Sequence, residues 1–382
     1  MAWAFRPVLK STLVHRSAPS KNLNTSSIIS QRLRNHALSS PTFKQPVDVV
    51  HWFGAVQAQD FHGAKWALAL RMQKASHARV EEAFNRGEIL RTHLLRPTWH
   101  FIAPEDIRWL LELTAPRVNA RCGPNYRKFE LDAAAFKRSN RVITNALKGG
   151  KHLARSELKA ALNRAGIAAD DTVRMAHILV RAELDGVVCS GPRTGKQFTY
   201  ALLEERVAVA GKALSRDESL AELTRRYFMS HGPATLPDFV WWSGLTTNDA
   251  RRGIALVERE LDKDTVDETV YWSGAAVSAR AVKRSFHAAH LLPAFDEYNV
   301  AYKDRQLVID GASGLTTWDA LGPVVVLDGR LIATWKPTVE KQSIEIAVTS
   351  RRAFNKPEKL AVTKAAERYA AFLDLSLNLS LG

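Results

Sequence analysis

The apolar residues of the N-terminal third follow a spacing that predicts helices and then a β-hairpin. Residues 46–56 and 61–71 each carry apolar positions at helical spacing, and Asp60 precedes the second helix as its N-cap. A short helix over 80–86 and two strands within 89–102 follow. Helices followed by a hairpin are typical of a winged helix, so we expect the first such module here.

The same order is clearest within residues 140–207. Ser156 is expected to cap one helix, and Asp170 or Asp171 starts the next. Two strands then follow within 187–202, joined by a turn rich in Gly and Pro. This order predicts a second winged helix, with a recognition helix and a wing.

Basic side chains mark both parts of this second module. Arg174, His177 and Arg181 lie at positions i, i+3 and i+7 of the predicted recognition helix, so they share one face. Arg193 and Lys196 lie in the wing turn. We interpret these five residues as nucleic-acid contacts, and the alternative is a solvated helix face with an ordinary hairpin tip.

Towards the C-terminus the pattern becomes strand-like. Residues 213–285 repeat the helix-and-hairpin order only weakly. Beyond them, the strands within 324–335 flank Asp328-Gly329-Arg330, a tight-hairpin sequence, and 344–348 alternates as another strand. A helix over 357–373 is expected to close the chain, and the strands predict a small barrel-like domain.

Together these patterns predict an α+β protein in which tandem winged-helix modules precede a small C-terminal β-barrel-like domain. Residues 1–30, the basic N-terminal extension, are expected to be disordered, with a transit peptide or a mis-assigned start codon as alternatives. The predicted boundaries of the rest are a first winged-helix module at 31–135, a second at 136–212, a third winged-helix-like module at 213–285, and a C-terminal β-rich domain with a terminal helix at 286–382.

The charge of the chain favours a polyanionic partner. Its 54 Lys and Arg residues outnumber 39 Asp and Glu residues, which gives a formal net charge of +15. Lys and Arg side chains that neutralise phosphates release bound counterions, and this release supplies much of nucleic-acid affinity. A basic protein without such a partner would have the same composition.

Composition also excludes several classes of function. Cys122 and Cys189 have no patterned Cys or His near them, so thiolate zinc and iron–sulfur sites are not expected. The sequence contains neither a Gly-rich phosphate loop nor a dinucleotide fingerprint, and no apolar run approaches the roughly 18 residues that span a bilayer. We therefore expect a cytoplasmic monomer with no cofactor, no metal and no membrane contact.

Two glutamines lie between the first two predicted helices. On an extended segment Gln57 and Gln59 project to the same side, whereas on a helix they would diverge. Each amide offers one acceptor and one donor group, so a convergent pair can hold a water molecule without adding a charged base. The alternative is that both glutamines satisfy free backbone groups at a helix end.

Three separated segments carry a resemblance to a known family. They are Val56-Gln57-Ala58-Gln59-Asp60, the segment from Arg91 to His100 (Arg-Thr-His-Leu-Leu-Arg-Pro-Thr-Trp-His), and the segment from His290 to Tyr298 with Tyr302 and Arg305 beyond it. These segments resemble the winged-helix DNA glycosylases of the AlkZ and YcaQ type, which excise alkylated purines and unhook interstrand cross-links. The resemblance covers about residues 30–373.

The resemblance implies a catalytic role for the glutamine pair. Gln57 and Gln59 match the Gln-x-Gln form found in the cross-link-specific branch of the family, whereas the broader alkylpurine branch has Gln-x-Asp. It also implies a basic channel for double-stranded DNA that carries alkylation damage. We therefore expect the two amides to orient a water molecule for cleavage of the N-glycosidic bond, with Asp60 as a candidate accessory carboxylate or simply the N-cap.

Further candidates lie near the glutamine pair and in the C-terminal motif. Asp296 and Tyr298 are interpreted as forming internal hydrogen bonds. The alternative function is a non-catalytic, regulatory or architectural DNA-binding protein in which the glutamines act only as caps. The residues near the pair that we predict to bind nucleic acid are Lys65, Arg91, His93, Arg96 and His100.

Overall fold

The computed structural model describes residues 23–207, 213–274 and 288–382. Its first helix, α1 (Thr25–Asn35), begins at the N-cap Asn24 and buries Ile28 and Ile29. The described chain is therefore already helical from Thr25, inside the segment expected to be a disordered extension; residues 1–22 of that segment lie outside the described residues.

A first helix–strand unit follows α1. It begins with α2, which ends at Phe53 rather than at 56 because Gly54 adopts a φ of 81°. Its three short strands form an antiparallel sheet in the order β1-β3-β2. The elements are α2 (Pro46–Phe53), β1 (Val56–Gln57), α3 (Phe61–Leu70), α4 (His77–Arg86), β2 (Leu90–Leu94) and β3 (Thr98–Ile102).

A long helix, α5 (Ile107–Lys128), leads to a second unit with the same element order and the sheet order β4-β6-β5. Ala154 is the N-cap of its second helix, so the cap predicted at Ser156 was wrong by two positions. Asp171 caps the third helix, as predicted. The elements are α6 (Ala133–Leu147), β4 (Leu153–Ala154), α7 (Arg155–Arg164), α8 (Thr172–Leu184), β5 (Val188–Ser190), β6 (Thr199–Leu202) and α9 (Leu203–Arg206).

The third unit has three helices and a two-stranded hairpin. A single bridge between Ala234 and Trp272 occupies the place of a third strand. Residues 275–285 of the predicted third module lie outside the described residues. The elements are α10 (Arg216–His231), α11 (Leu236–Ser243), α12 (Thr247–Val257), β7 (Leu261–Val266) and β8 (Thr269–Gly274).

The C-terminal domain is built on a five-stranded sheet in the order β13-β12-β11-β10-β9. Within the described residues this sheet is open, and the predicted barrel is not confirmed. Asp328 and Gly329 both have positive φ and form the predicted tight hairpin. The elements are β9 (Ala289–Leu292), α13 (Glu297–Val300), β10 (Val324–Leu327), β11 (Arg330–Val339), β12 (Ser343–Thr349), α14 (Lys356–Leu373) and β13 (Ser376–Leu381).

The last strand corrects one prediction. The helix expected to close the chain is followed by β13, which pairs in parallel with β12. Leu377, Leu379 and Leu381 pack against the hydrophobic core below the sheet. A parallel edge strand was not predicted because its partner β12 is separated from it in sequence by the whole of α14.

Two hydrophobic cores meet at the first hairpin, β2–β3. One core contains Leu94 and Ile102 with the helices of the second and third units. The other contains Val56 and Phe101 with the C-terminal sheet. The hairpin is therefore fixed from both sides, which makes it a rigid support for side chains at its end. None of the helices in the described ranges has the length and apolar character to cross a bilayer.

Candidate functional site

The strand β1 places Gln57 against the hairpin. Gln57 pairs in register with His100 and is 7% exposed. Its backbone N–H donates to Glu297 Oε1 at 2.7 Å, and its side-chain Oε1 accepts a hydrogen bond from Arg96 Nη2 at 3.2 Å. Gln57 is thus held at its backbone by the C-terminal domain and at its side chain by the hairpin turn.

Gln59 lies in the bend between β1 and α3 and is exposed. Its Oε1 accepts a hydrogen bond from the backbone N–H of Trp99 at 3.4 Å. Asp60, also exposed, accepts from the backbone N–H of Gly63 at 3.1 Å and caps α3, as predicted. Both glutamine side chains therefore bond to the β2–β3 hairpin, but Gln57 is buried whereas Gln59 is open to solvent.

Arg91 holds the bend that carries Gln59. Its Nε donates to the carbonyl of Ala58 at 3.0 Å, and its Nη2 donates to the carbonyl of Gln59 at 3.4 Å. The guanidinium carbon lies 4.3 Å from the ring centroid of Trp99 and 4.8 Å from that of Phe198. Burial lowers the pKa of Arg91 to about 10, so the side chain stays cationic at neutral pH.

A cavity of about 400 Å³ opens beside this bend, between the hairpin and the second unit. The carboxylate of Glu183, 2% exposed, accepts from the backbone N–H of His93 at 3.0 Å and from Trp99 Nε1 at 3.5 Å. Cations, aromatic rings and one buried carboxylate meet here, a combination that suits an unstacked base next to a phosphate. Lining residues include Arg91, Trp99, Glu183, Lys196, Phe198 and Tyr200.

Comparison with known proteins assigns the chain to a family. The model of the DNA glycosylase AlkZ-like family matches residues 50–372, which include the glutamine pair, the hairpin and the C-terminal domain. The chain belongs to the AlkZ-like DNA glycosylase family. The predicted family and the predicted enzyme class are thereby confirmed.

Two comparisons extend this result. The chain is 24% identical over 362 residues to a protein named interstrand DNA cross-link repair glycosylase from Streptomyces sahachiroi, covering 90% of this chain and 94% of that protein. The solved structure of the Streptomyces sahachiroi DNA glycosylase AlkZ has the same fold, with a TM-score of 0.76 at 20% identity, over 94% of this chain and 100% of the other.

Some nucleic-acid contacts predicted for this AlkZ-like chain lie in its interior. Lys65 is 0% exposed and forms an ion pair with Glu81. His100 is 1% exposed, and burial lowers its pKa to about 3, so its ring is neutral. His93 is 6% exposed, and its Nδ1 lies within hydrogen-bonding distance of Glu183. These three placements disfavour direct DNA contact, because each side chain is buried and its polar group already has a protein partner.

The predicted recognition face of α8 packs against protein as well. Arg174 donates from Nε to the carbonyl of Ala168 at 2.8 Å and from Nη1 to the carbonyl of Phe129. The His177 ring lies edge-on to Tyr126 at 5.7 Å. Arg181 pairs with Asp185 at 2.7 Å and lies over Phe136. The three side chains share a face, as predicted, but that face is only partly exposed because it packs against α5 and α6.

The predicted wing of the second unit, the turn between β5 and β6, packs against the first unit. Arg193 pairs with Glu81 at 2.7 Å, and its backbone N–H donates to Asn85 Oδ1 at 2.8 Å. Arg193 is therefore a contact between units rather than a free cation. Lys196, at the same wing, is exposed and remains a candidate DNA contact.

Sequence reasoning missed the role of Glu297. It lies in the segment from His290 to Tyr298 that carries the family resemblance, where only its two neighbours were assigned. Those assignments are confirmed as internal, because Asp296 binds Arg71 at 2.8 and 2.9 Å and the Tyr298 hydroxyl donates to the carbonyl of Gly329. The available signal was the second of two adjacent acidic residues in a segment that begins His-Leu-Leu-Pro-Ala-Phe.

One group of possible metal ligands occurs among the described residues, His51, Glu105 and Asp106. Hydrogen bonds to Asp106 and Glu105 raise the pKa of His51 to about 9, so its imidazole is protonated at neutral pH. Asp106 is also bonded to Arg226 at both oxygens. A protonated imidazole has no lone pair for a metal, and the group fits an ion-pair network instead.

Proposed function

We propose that the protein is a DNA glycosylase that removes purines alkylated at N7 or N3 and unhooks interstrand cross-links. The observation that carries this proposal is the placement of the family's Gln-x-Gln motif. Gln57 lies on β1 and Gln59 in the bend after it, and both side chains bond to the β2–β3 hairpin, beside a cavity with cationic and aromatic walls. The name of the Streptomyces sahachiroi relative supports the cross-link part of the proposal.

The substrate's own charge explains how neutral amides can suffice. A purine alkylated at N7 or N3 is already cationic, so it leaves the sugar without being protonated. The remaining tasks are to place water at C1′ and to stabilise a sugar with oxocarbenium character. Gln59 is exposed and can orient that water. The buried Gln57 instead holds the hydrogen bond with Arg96 next to that position.

The three helix–strand units act as winged-helix modules in this proposal. The first two share the order helix, strand, helix, helix, strand, strand, with the first strand beside the third. The net charge of +15 favours a duplex lying across them. Because α5 and α6 already engage the α8 face, we assign DNA contact to the hairpin side of the molecule, where Arg96 and Lys196 lie.

The cavity beside Gln59 receives an unstacked nucleotide. The Trp99 and Phe198 rings line the cavity and offer aromatic surfaces to a base, and the Arg91 guanidinium lies 4.3 and 4.8 Å from their centroids. The buried carboxylate of Glu183 complements a cationic base, because opposite charges attract strongly where water is excluded. Undamaged bases are neutral, so this carboxylate does not attract them, and they are expected to be poor substrates.

Release of abasic sites tests the proposal. Duplex DNA carrying N7-methylguanine is incubated with excess protein, and abasic sites are cleaved by alkali. We expect Gln57→Ala and Gln59→Ala each to lower the single-turnover rate by about 100-fold, the usual effect of removing one preorganised polar group. Gln73→Ala, an exposed glutamine outside the hairpin, is the matched control and should keep the wild-type rate.

The alternative function is a DNA-binding protein without catalysis. It predicts tight binding of duplex DNA by the wild-type protein with no abasic sites. A cross-linked duplex in the same assay tests unhooking, because conversion to separable strands requires cleavage of one glycosidic bond at the cross-link. If the protein cleaves neither substrate, only the DNA-binding function remains.

A further inference from the structure

A buried carboxylate lies directly behind the glutamine motif. Glu297 is 1% exposed and belongs to α13 of the C-terminal domain. Its Oε1 accepts the backbone N–H of Gln57 at 2.7 Å, and its Oε2 accepts Trp242 Nε1–H at 2.9 Å. His231 Nε2 lies 3.4 Å from Oε2 and is a third donor in the tautomer protonated at that nitrogen. Donors converging on both oxygens hold the carboxylate in place.

The charge of Glu297 faces a cation across Gln57. Arg96 donates to Gln57 Oε1 at 3.2 Å. Burial lowers the pKa of Arg96, the charge of Glu297 opposes this shift, and the nearby cations Arg305 and Arg121 add to it. Loss of Glu297 would therefore strengthen the positive potential beside the motif, which disfavours a cationic sugar.

The proposed reaction develops positive charge on the sugar, so the negative charge of Glu297 behind the motif affects how well the site holds that cation. We propose that Glu297 is the positioning residue that supplies negative charge behind the Gln-x-Gln site, acting through the backbone of Gln57 and by offsetting the charge of Arg96. The inference rests on the proposed glycosylase function. It explains how a site with neutral amides at its surface favours a cation while the Glu297 carboxylate itself stays buried, out of reach as a general base.

Binding of two abasic-site analogues tests this without requiring turnover. One duplex carries a cationic pyrrolidine in place of the sugar, and the other carries a neutral tetrahydrofuran. A carboxylate roughly 7 Å from a cation changes its binding by about 50-fold at an effective dielectric constant of about 20. We expect the wild-type protein to bind the cationic analogue more tightly than the neutral one, and Glu297→Gln to lose most of that preference.

Three further variants separate charge from packing. Glu297→Asp keeps the charge and should retain part of the preference, whereas Trp242→Phe removes one donor and should retain nearly all of it. Glu358→Gln neutralises another buried carboxylate, which pairs with Arg352 at the start of α14, and serves as the matched control. Affinity for the neutral analogue should stay near the wild-type value in all four variants.

The outcomes distinguish this inference from the proposed function. A wild-type protein with no preference for the cation, or a Glu297→Gln protein that keeps the full preference, overturns the role of Glu297 even if abasic sites form normally. Loss of abasic-site formation in the wild-type protein overturns the proposed function instead. If Glu297→Gln weakens both analogues equally, the residue is structural and the inference fails.

Discussion

The ion pair between Arg71 and Asp296 should contribute strongly to the stability of the protein. Arg71 lies at the end of α3, and Asp296 precedes α13, so their two hydrogen bonds of 2.8 and 2.9 Å join the first unit to the C-terminal domain. Both side chains are about 1% exposed. Asp296→Ala leaves the guanidinium in the interior with only the Ala67 carbonyl and the face of Phe53 as partners.

The expected loss follows from this geometry. Removing one partner of a buried ion pair costs about 3 to 5 kcal/mol, because the remaining charge is left uncompensated. Asp296 Oδ1 also accepts the backbone N–H of Tyr298 as the cap of α13, which adds about 1 kcal/mol. We therefore expect Asp296→Ala to lower the free energy of unfolding by about 4 to 6 kcal/mol, and Asp296→Asn by less, because one acceptor remains.

Urea unfolding followed by tryptophan fluorescence and circular dichroism measures this loss. The control is Asp217→Ala, which breaks an exposed pair with Arg252 and should unfold at the wild-type urea concentration. If Asp296→Ala unfolds within about 1 kcal/mol of the wild-type protein, the interior at this pair is better solvated than its burial indicates. The assignment of Asp296 as a structural residue would then be wrong.

Two further predictions concern other ion pairs. Glu81→Ala removes the shared partner of Lys65 and Arg193, so it should lower the free energy of unfolding by about 3 kcal/mol in the same urea assay. The control Glu82→Ala, beside it on the exposed side of α4, should change the free energy of unfolding by less than about 0.5 kcal/mol. Equal effects of the two substitutions would contradict the role of Glu81. The folded pKa of His51 is raised from 6.5 to about 9, so its contribution to stability should be complete below pH 6.5 and lost as the pH rises through 9. Unfolding midpoints measured from pH 6 to pH 10 should fall over that window in the wild-type protein and change less in His51→Gln, and parallel curves would refute the assignment.

Much of the fold follows from signals close in sequence. Asp60 and Asp171 cap the predicted helices, Gly87 ends α4, and Asp328-Gly329 forms the predicted turn. Each of these features depends on backbone groups within a few residues, so the local sequence determines it. The same holds for the position of Gln57 and Gln59 at a non-helical junction.

The partners of the charged residues could not be predicted in this way. His93 meets Glu183 ninety positions away, and Gln57 meets Glu297 at a separation of 240. Charge type alone made His93 and Lys65 resemble phosphate ligands, whereas long-range packing decides that both lie inside the protein. Only the arrangement of the units brings these groups together.

The docked wing has a mechanical consequence for substrate choice. Contacts from Arg193 to Glu81, from Ser190 to Arg91 and from Glu183 to His93 connect the second unit to the first at several points. Units fastened in this manner resist hinge closure, so a bound duplex would have to bend or open to fit the enzyme. Under the proposed function, in which alkylation and cross-linking alter local stacking, the flexibility of damaged DNA would itself become a property by which the protein finds its target.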